Sequence, residues 1–191
     1  MGIYLNPENV DFQEVLNSKI YVDKSELIQY TNSVLRTTQK YICVSRPRRF
    51  GKSMAANMLT AYYSRGCDSR KLFQGLKIAT HPDFEKHLNQ YNVIHLNMRD
   101  YLTESENMKQ LIQFVEDDLL DELQQEFSDL RMPRRKTLVK VLEQAFAQYK
   151  IPFVFIIDEW DCIFRVHKSD AASQKDYLDF LRTLLKDKSY I

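Results

Sequence analysis

Arg46-Pro47-Arg48-Arg49-Phe50-Gly51-Lys52-Ser53 is the stretch on which the reading of this chain turns. It follows the apolar run Tyr41-Ile42-Cys43-Val44 and leads into a helix-forming segment where Ala55, Met58, Leu59 and Tyr62 recur at helical spacing. Strand, short loop, Gly-Lys-Ser and helix are the parts of a phosphate-binding P-loop, whose backbone N–H groups and helix N-terminus surround the β- and γ-phosphates. Gly51 lets the backbone come close to phosphate. Lys52 is expected to neutralise the phosphates, and the Ser53 hydroxyl to hold Mg²⁺. Arg46 stands where the pattern wants a first glycine, so the second half of the motif is intact and the first half is not. A Gly-Lys-Ser tripeptide alone also occurs in basic surface turns.

A second element far downstream completes the chemistry. Phe153-Val154-Phe155-Ile156-Ile157-Asp158-Glu159 is an apolar run that ends in two acids. Five apolar residues in succession predict a strand covered on both faces, as parallel sheets require. Carboxylates at its C-terminal end fall in the crevice where open α/β sheets take ligands. Asp158 is then the Walker B acid at Mg²⁺, and Glu159 the group that polarises the attacking water.

The composition sets bounds on partners. The 191 residues are 44% hydrophobic with a formal net charge of +1, enough to bury a core, and one domain over residues 1–191 is expected. Near-neutral charge gives no general pull toward nucleic acid or an anionic membrane. Cys43, Cys67 and Cys162 are too few and too scattered for a disulfide framework or zinc site; Cys43 and Cys162, in or beside apolar runs, read as small core residues. With no signal-peptide build and no apolar stretch of spanning length, a cytoplasmic location is expected.

Elements alternate along the chain, which predicts an α/β fold. Asp23-Lys24-Ser25-Glu26 has the spacing of a helix cap with its reciprocal Glu, opening a helix with Leu27, Ile28, Val34 and Leu35. A first core strand is expected at about 41–45, a brief helix after Pro82, and a second strand at 93–98. A long amphipathic helix carries Met108 through Phe127 and is broken at Met132-Pro133. Leu138, Val141, Leu142, Ala145, Phe146 and Tyr149 form the next helical stripe, and a last helix holds Tyr177 to Leu185. In P-loop folds with an acidic pair after Walker B, the next strand lies between the Walker A and Walker B strands. The expectation is therefore a C-terminally truncated sheet.

Tyr21-Val22-Asp23-Lys24, then Ser45 through Ser53, then Ile157-Asp158-Glu159-Trp160-Asp161, together resemble the bacterial AAA-ATPase-like family. The resemblance covers nearly all of residues 10 to 191. In that family the loop usually reads Arg-Pro-Arg-Arg-Phe-Gly-Lys-Ser, which accounts for Arg46; Trp160 stands where Tyr is commoner. It implies an additional-strand, AAA-like P-loop NTPase: a three-layer αβα fold with a mainly parallel sheet, its Walker A at about 46–53 and Walker B at about 153–159. It also implies a C-terminal PD-(D/E)xK nuclease-like domain in full-length members. The string Pro82-Asp83-Phe84-Glu85-Lys86 is too tightly spaced to be that nuclease motif and reads as a helix start.

The expected nucleotide-binding residues are Arg46, Arg48, Arg49, Phe50, Gly51, Lys52, Ser53 and Met54, with Ser53 and Asp158 at the metal and Lys52 and Glu159 catalytic. The arginines could add charge-assisted phosphate contacts or form a solvated basic loop. Asp161 reads as a cap of the following segment. The acids Glu116, Asp117, Asp118, Asp121 and Glu122 read as the wet face of their helix, and His81, His87 and His95 lack metal-ligand spacing. Three readings follow: Mg²⁺-dependent ATP hydrolysis; a nucleotide-binding switch with little turnover that controls a nuclease-like domain; and a nucleic-acid contact through the arginine-rich loop, which the charge balance does not favour.

Overall fold

The structure, a computed structural model, describes residues 2–45, 47 and 49–191. Helices α1 (Val10–Leu16), α2 (Glu26–Val34) and α3 (Lys52–Tyr63) are followed by the short α4 (Arg70–Phe73), a 3₁₀ turn (Lys77–Thr80) and α5 (Phe84–His87). Strand β1 (Asn92–Asn97) leads into α6 (Met98–Glu104), α7 (Met108–Glu126) and α8 (Leu138–Tyr149). Strand β2 (Phe153–Asp158), α9 (Cys162–Val166) and α10 (Ala171–Leu185) complete the order.

The two strands pair in parallel, with Ile94 opposite Phe155 and Leu96 opposite Ile157. Alternation along them feeds two separate cores. Ile94, Leu96, Phe153, Phe155 and Ile157 pack with side chains of α6 to α10. Val93, Val154 and Ile156 turn the other way, toward α1 to α5, where Phe12, Ile28, Met58, Tyr62 and Phe73 gather. Apolar residues on both faces of a parallel pair need helices on both sides, and the fold is α/β in three layers.

Helix α3 is fixed at its C-terminal end. Tyr91 N–H donates to the Tyr63 carbonyl (3.0 Å), Arg65 N–H to the Tyr91 carbonyl (3.0 Å) and Asn89 N–H to the Tyr62 carbonyl (2.7 Å). The Tyr63 hydroxyl donates to Asn32 Oδ1 (2.7 Å) and shares a 2.6 Å hydrogen bond with Thr31 Oγ1, tying α3 to α2. The end of α3 thus lies at the beginning of β1, and the helix packs across β1 and β2. Twelve residues rise about 18 Å and six strand residues about 20 Å. The start of α3 therefore reaches the C-terminal end of the sheet, where β2 finishes at Asp158.

Several features differ from what the sequence predicts. Residues 41–45 form no strand: Tyr41, Ile42 and Val44 are 51%, 38% and 45% exposed, and Cys43 is exposed rather than a core residue. Among the described residues no hydrogen bond joins 41–45 to β2, so the expected larger parallel sheet is a two-stranded one. An extended apolar run becomes a strand only beside a neighbour's N–H and C=O groups, and the tail touches both sides here. Lys40 Nζ donates to the carbonyls of Lys188 and Ile191 (3.3 and 3.0 Å), whereas Phe153 N–H donates to the Tyr190 carbonyl (2.6 Å).

Asp23 does not cap α2, whose N-cap is Ser25. Asp23 accepts instead from Ser25 N–H and Lys77 N–H (both 2.8 Å), joining α2 to the 3₁₀ turn. The acids of α7 are not simply solvated. Glu122 accepts from the N–H groups of Ile3 (2.6 Å), Tyr4 (3.0 Å) and Leu5 (2.6 Å), and Asp118 from the Tyr101 hydroxyl. Glu122 thereby holds the N-terminal segment along the outer edge of β1, where Asn6 N–H meets the Val93 carbonyl (2.7 Å). Finally, α7 stops at Glu126, before Met132-Pro133 is reached. Among the described residues no helix is long and apolar enough to cross a membrane.

His95 lies on the α3-facing side of β1, opposite Ile156. Burial holds its imidazole below the usual value, against the pull of the Asp158 and Asp11 carboxylates. A depressed folded-state value means the unfolded chain takes up the proton first as pH falls, so stability present above about pH 6.5 is lost below it. Unfolding free energies measured between about pH 7 and 5 should fall less steeply for His95→Leu than for the parent. Equal slopes would remove His95 from this role.

Candidate functional site

The loop before α3 bends through left-handed backbone twice, at Arg49 (φ 67°) and Gly51 (φ 74°). Gly51 is the N-cap of α3 and has no side chain with which to cap it. A Cβ there would sit 2.9 Å from Lys24 Nζ, which donates 2.8 Å to the Phe50 carbonyl. The first turn of α3 contains no acid and starts with Lys52, whose Nζ lies 3.5 Å from the Pro47 carbonyl. Lys52 and Lys24 therefore add positive charge at the positive end of a helix dipole, an arrangement that an anion relieves. Ser53 and Met54 are exposed beside it. Arg46 and Arg48 lie outside the described residues.

At the same end of the sheet, β2 delivers the acids. Val154, Ile156 and Asp158 fall on one face by alternation, the face covered by α3, so the carboxylate of Asp158 is turned toward the layer that carries Lys52 and Ser53. Its Oδ1 accepts from Glu159 N–H (2.8 Å). Glu159 leaves the strand in left-handed backbone (φ 52°) and its carboxylate is ion-paired with Arg165 of α9. Both side chains of this pair are partly buried, and the buried Arg165 Nε has no hydrogen-bond partner among the described residues. Asp161 occupies the N-cap position of α9 yet makes no side-chain cap bond; it lies 3.4 Å from Arg165 instead. Trp160 packs edge-on against Phe164.

Gly51, Lys52 and Ser53 thus open the helix that covers the face on which Asp158 falls, with Arg49 and Phe50 in the loop before it and Met54 in its first turn. From spacing alone Lys24 reads as part of a helix cap, within a stretch whose family resemblance implies a place near a nucleotide. Arg165 gives no sequence signal, because nothing in its spacing ties it to Glu159. Among the described residues no group of three or more His, Cys, Asp or Glu side chains could hold a metal ion by itself.

Gly51→Ala should destabilise the fold by about 1–2 kcal/mol, the cost of a left-handed residue with a Cβ, and displace Lys24 from the Phe50 carbonyl. Denaturant unfolding of the two proteins measures this; an unchanged midpoint would contradict the conformation assigned to Gly51.

No curated protein and no solved structure matches this chain. A family model described as predicted AAA-ATPase matches residues 10–189. That span takes in the loop before α3, both strands and the Asp158-Glu159 pair. The chain belongs to the AAA-ATPase-like family.

Proposed function

We propose that this domain binds Mg²⁺–ATP at the C-terminal end of its sheet and hydrolyses the β–γ anhydride. The observation that carries the proposal is the start of α3: left-handed Gly51 at the N-cap, no acid in the first turn, and Lys24 and Lys52 beside it. The N–H groups of this turn and Lys52 hold the β- and γ-phosphates, with Arg46, Arg48, Arg49 and Phe50 of the preceding sequence and Met54 of α3 completing the binding set. Ser53 and Asp158 fit magnesium, since a hydroxyl and a carboxylate are both hard oxygen donors and one faces the layer that carries the other. When bound, the ion neutralises phosphate oxygens. Glu159 orients the attacking water. Little covalent chemistry is needed from the protein, since phosphoryl transfer rests on positioning and charge.

The Arg165–Glu159 pair favours a second reading, a switch that holds nucleotide with little turnover and controls a C-terminal nuclease-like domain. A glutamate engaged by a partly buried guanidinium is a poor base until that contact opens. Binding of Mg²⁺–ATP, followed through the fluorescence of Trp160, and phosphate release separate the readings. Glu159→Gln should keep binding and lose release by about a hundredfold or more. Hydrolysis by Glu159→Gln at the parent rate would refute the role of Glu159. Arg165→Gln should raise release if the pair restrains Glu159; an unchanged rate counts against the switch.

A further inference from the structure

Arg131, Arg134, Arg135 and Lys136 put four cations into six residues of the irregular segment between α7 and α8. All four are exposed, and among the described residues none of them forms an ion pair or a side-chain hydrogen bond. The backbone that carries them is fixed. Leu130 and Leu138 are buried and Met132 packs against the same core, so the segment is pinned at both ends and once between. Arg131 N–H donates to Gln148 Oε1, and Gln148 Nε2 donates to the Asp129 carbonyl (both 3.2 Å). With the apolar residues turned inward, the charges are left in water. From Leu130 to Leu142 the chain has five cations and no carboxylate. The flanking acids are engaged elsewhere: Asp129 accepts from the Tyr149 hydroxyl, and Glu143 is paired with Lys140 (2.7 Å). Like charges held this close repel one another, and a polyanion relieves the repulsion.

We infer that the 131–136 segment is a docking surface for the phosphate backbone of a nucleic-acid duplex. The inference is independent of the nucleotide site proposed above. Three of the four cations are arginines, whose planar fork matches phosphate oxygens and is only weakly hydrated. Six residues extend over about 20 Å at most. A duplex carries one charge per about 1.7 Å of its axis, so several phosphates meet the segment at once. Single strands are held by aromatic platforms on which bases stack. No aromatic residue lies between Phe127 and Phe146 here, and Phe127 is buried. A membrane surface is disfavoured in the same way, because Met132 and Pro133 are half-buried and no exposed apolar side chain stands among the charges. The net charge of +1 supplies no wider field, so the contact is local and carries no base-sequence preference.

Fluorescence anisotropy of a labelled DNA duplex of about 20 base pairs, titrated with the whole chain between about 50 and 200 mM salt, tests this. The parent is compared with Arg134→Gln/Arg135→Gln/Lys136→Gln. A control of equal charge change, Lys19→Gln/Lys71→Gln/Lys86→Gln, draws on exposed positions elsewhere. Equal thermal unfolding of the three proteins shows that each keeps the fold. For the parent, log K should fall against log salt with a slope of about −3 to −4, the value for four neutralised phosphates. The patch variant should bind about tenfold or more weakly at about 50 mM salt and keep a slope near about −1, while the control stays within about twofold of the parent. Equal losses in both variants would reduce the effect to net charge, and an affinity that survives in the patch variant would put the duplex elsewhere. Either result overturns the assignment. So does the absence of binding at about 50 mM salt, or tighter binding of a single strand of the same length, of polyglutamate or of phosphatidylserine vesicles.

Discussion

The register between Asn92–Asn97 and Phe153–Asp158 is the constraint from which the rest of the arrangement follows. Side chains alternate along a strand, so a slip of one residue would exchange the two cores and turn Asp158 away from α3. That slip is opposed on both faces at once. Ile94, Leu96, Phe155 and Ile157 are committed to the core of α6 to α10, and Val93, Val154 and Ile156 to that of α1 to α5. The start of the ladder is fixed further by Asn92, whose N–H donates to the Pro152 carbonyl and whose side-chain amide donates to the Ile151 carbonyl (both 3.1 Å).

With the register set, the position of α3 supplies the other half of the site. Its C-terminal turn is held by backbone hydrogen bonds to Asn89 and Tyr91 and by the buried Thr31, Asn32, Tyr62 and Tyr63 network. At its N-terminal end Lys24 donates to the Phe50 carbonyl. A helix anchored at one end presents its other end as a set of N–H groups in a defined direction. The two acids are held differently: Asp158 by its place at the end of a core strand, Glu159 by its ion pair with Arg165.

Much of this was legible in the residues. The five apolar residues ahead of Asp158 predict a strand covered on both faces; β2 packs helices on both, but only Phe153 is fully buried and the others stay half-buried. The helical spacing of Leu138 to Tyr149 and of Met108 to Leu123 appears as α8 and α7. What the residues could not disclose depends on partners distant in sequence. Tyr41 to Val44 has the composition of a core strand, but composition does not supply a neighbouring ladder, and the segment stays exposed. Glu122 looks like any acid on a helix surface, because the three backbone N–H groups it accepts belong to the opposite end of the chain and carry no side-chain signature. Arg165 meets Glu159 only once the fold has brought α9 back against the end of β2.

The central claim is that Lys52 and Asp158 act on one bound ligand, and a double-mutant cycle on Mg²⁺–ATP affinity tests it most directly. Lys52→Ala, Asp158→Ala and the double variant are each titrated against the parent. The account expects strong non-additivity, a coupling of about 0.5–3 kcal/mol of the kind seen when two groups share a partner. Losses that simply add, or an Asp158→Ala protein that binds Mg²⁺–ATP as the parent does, would contradict it.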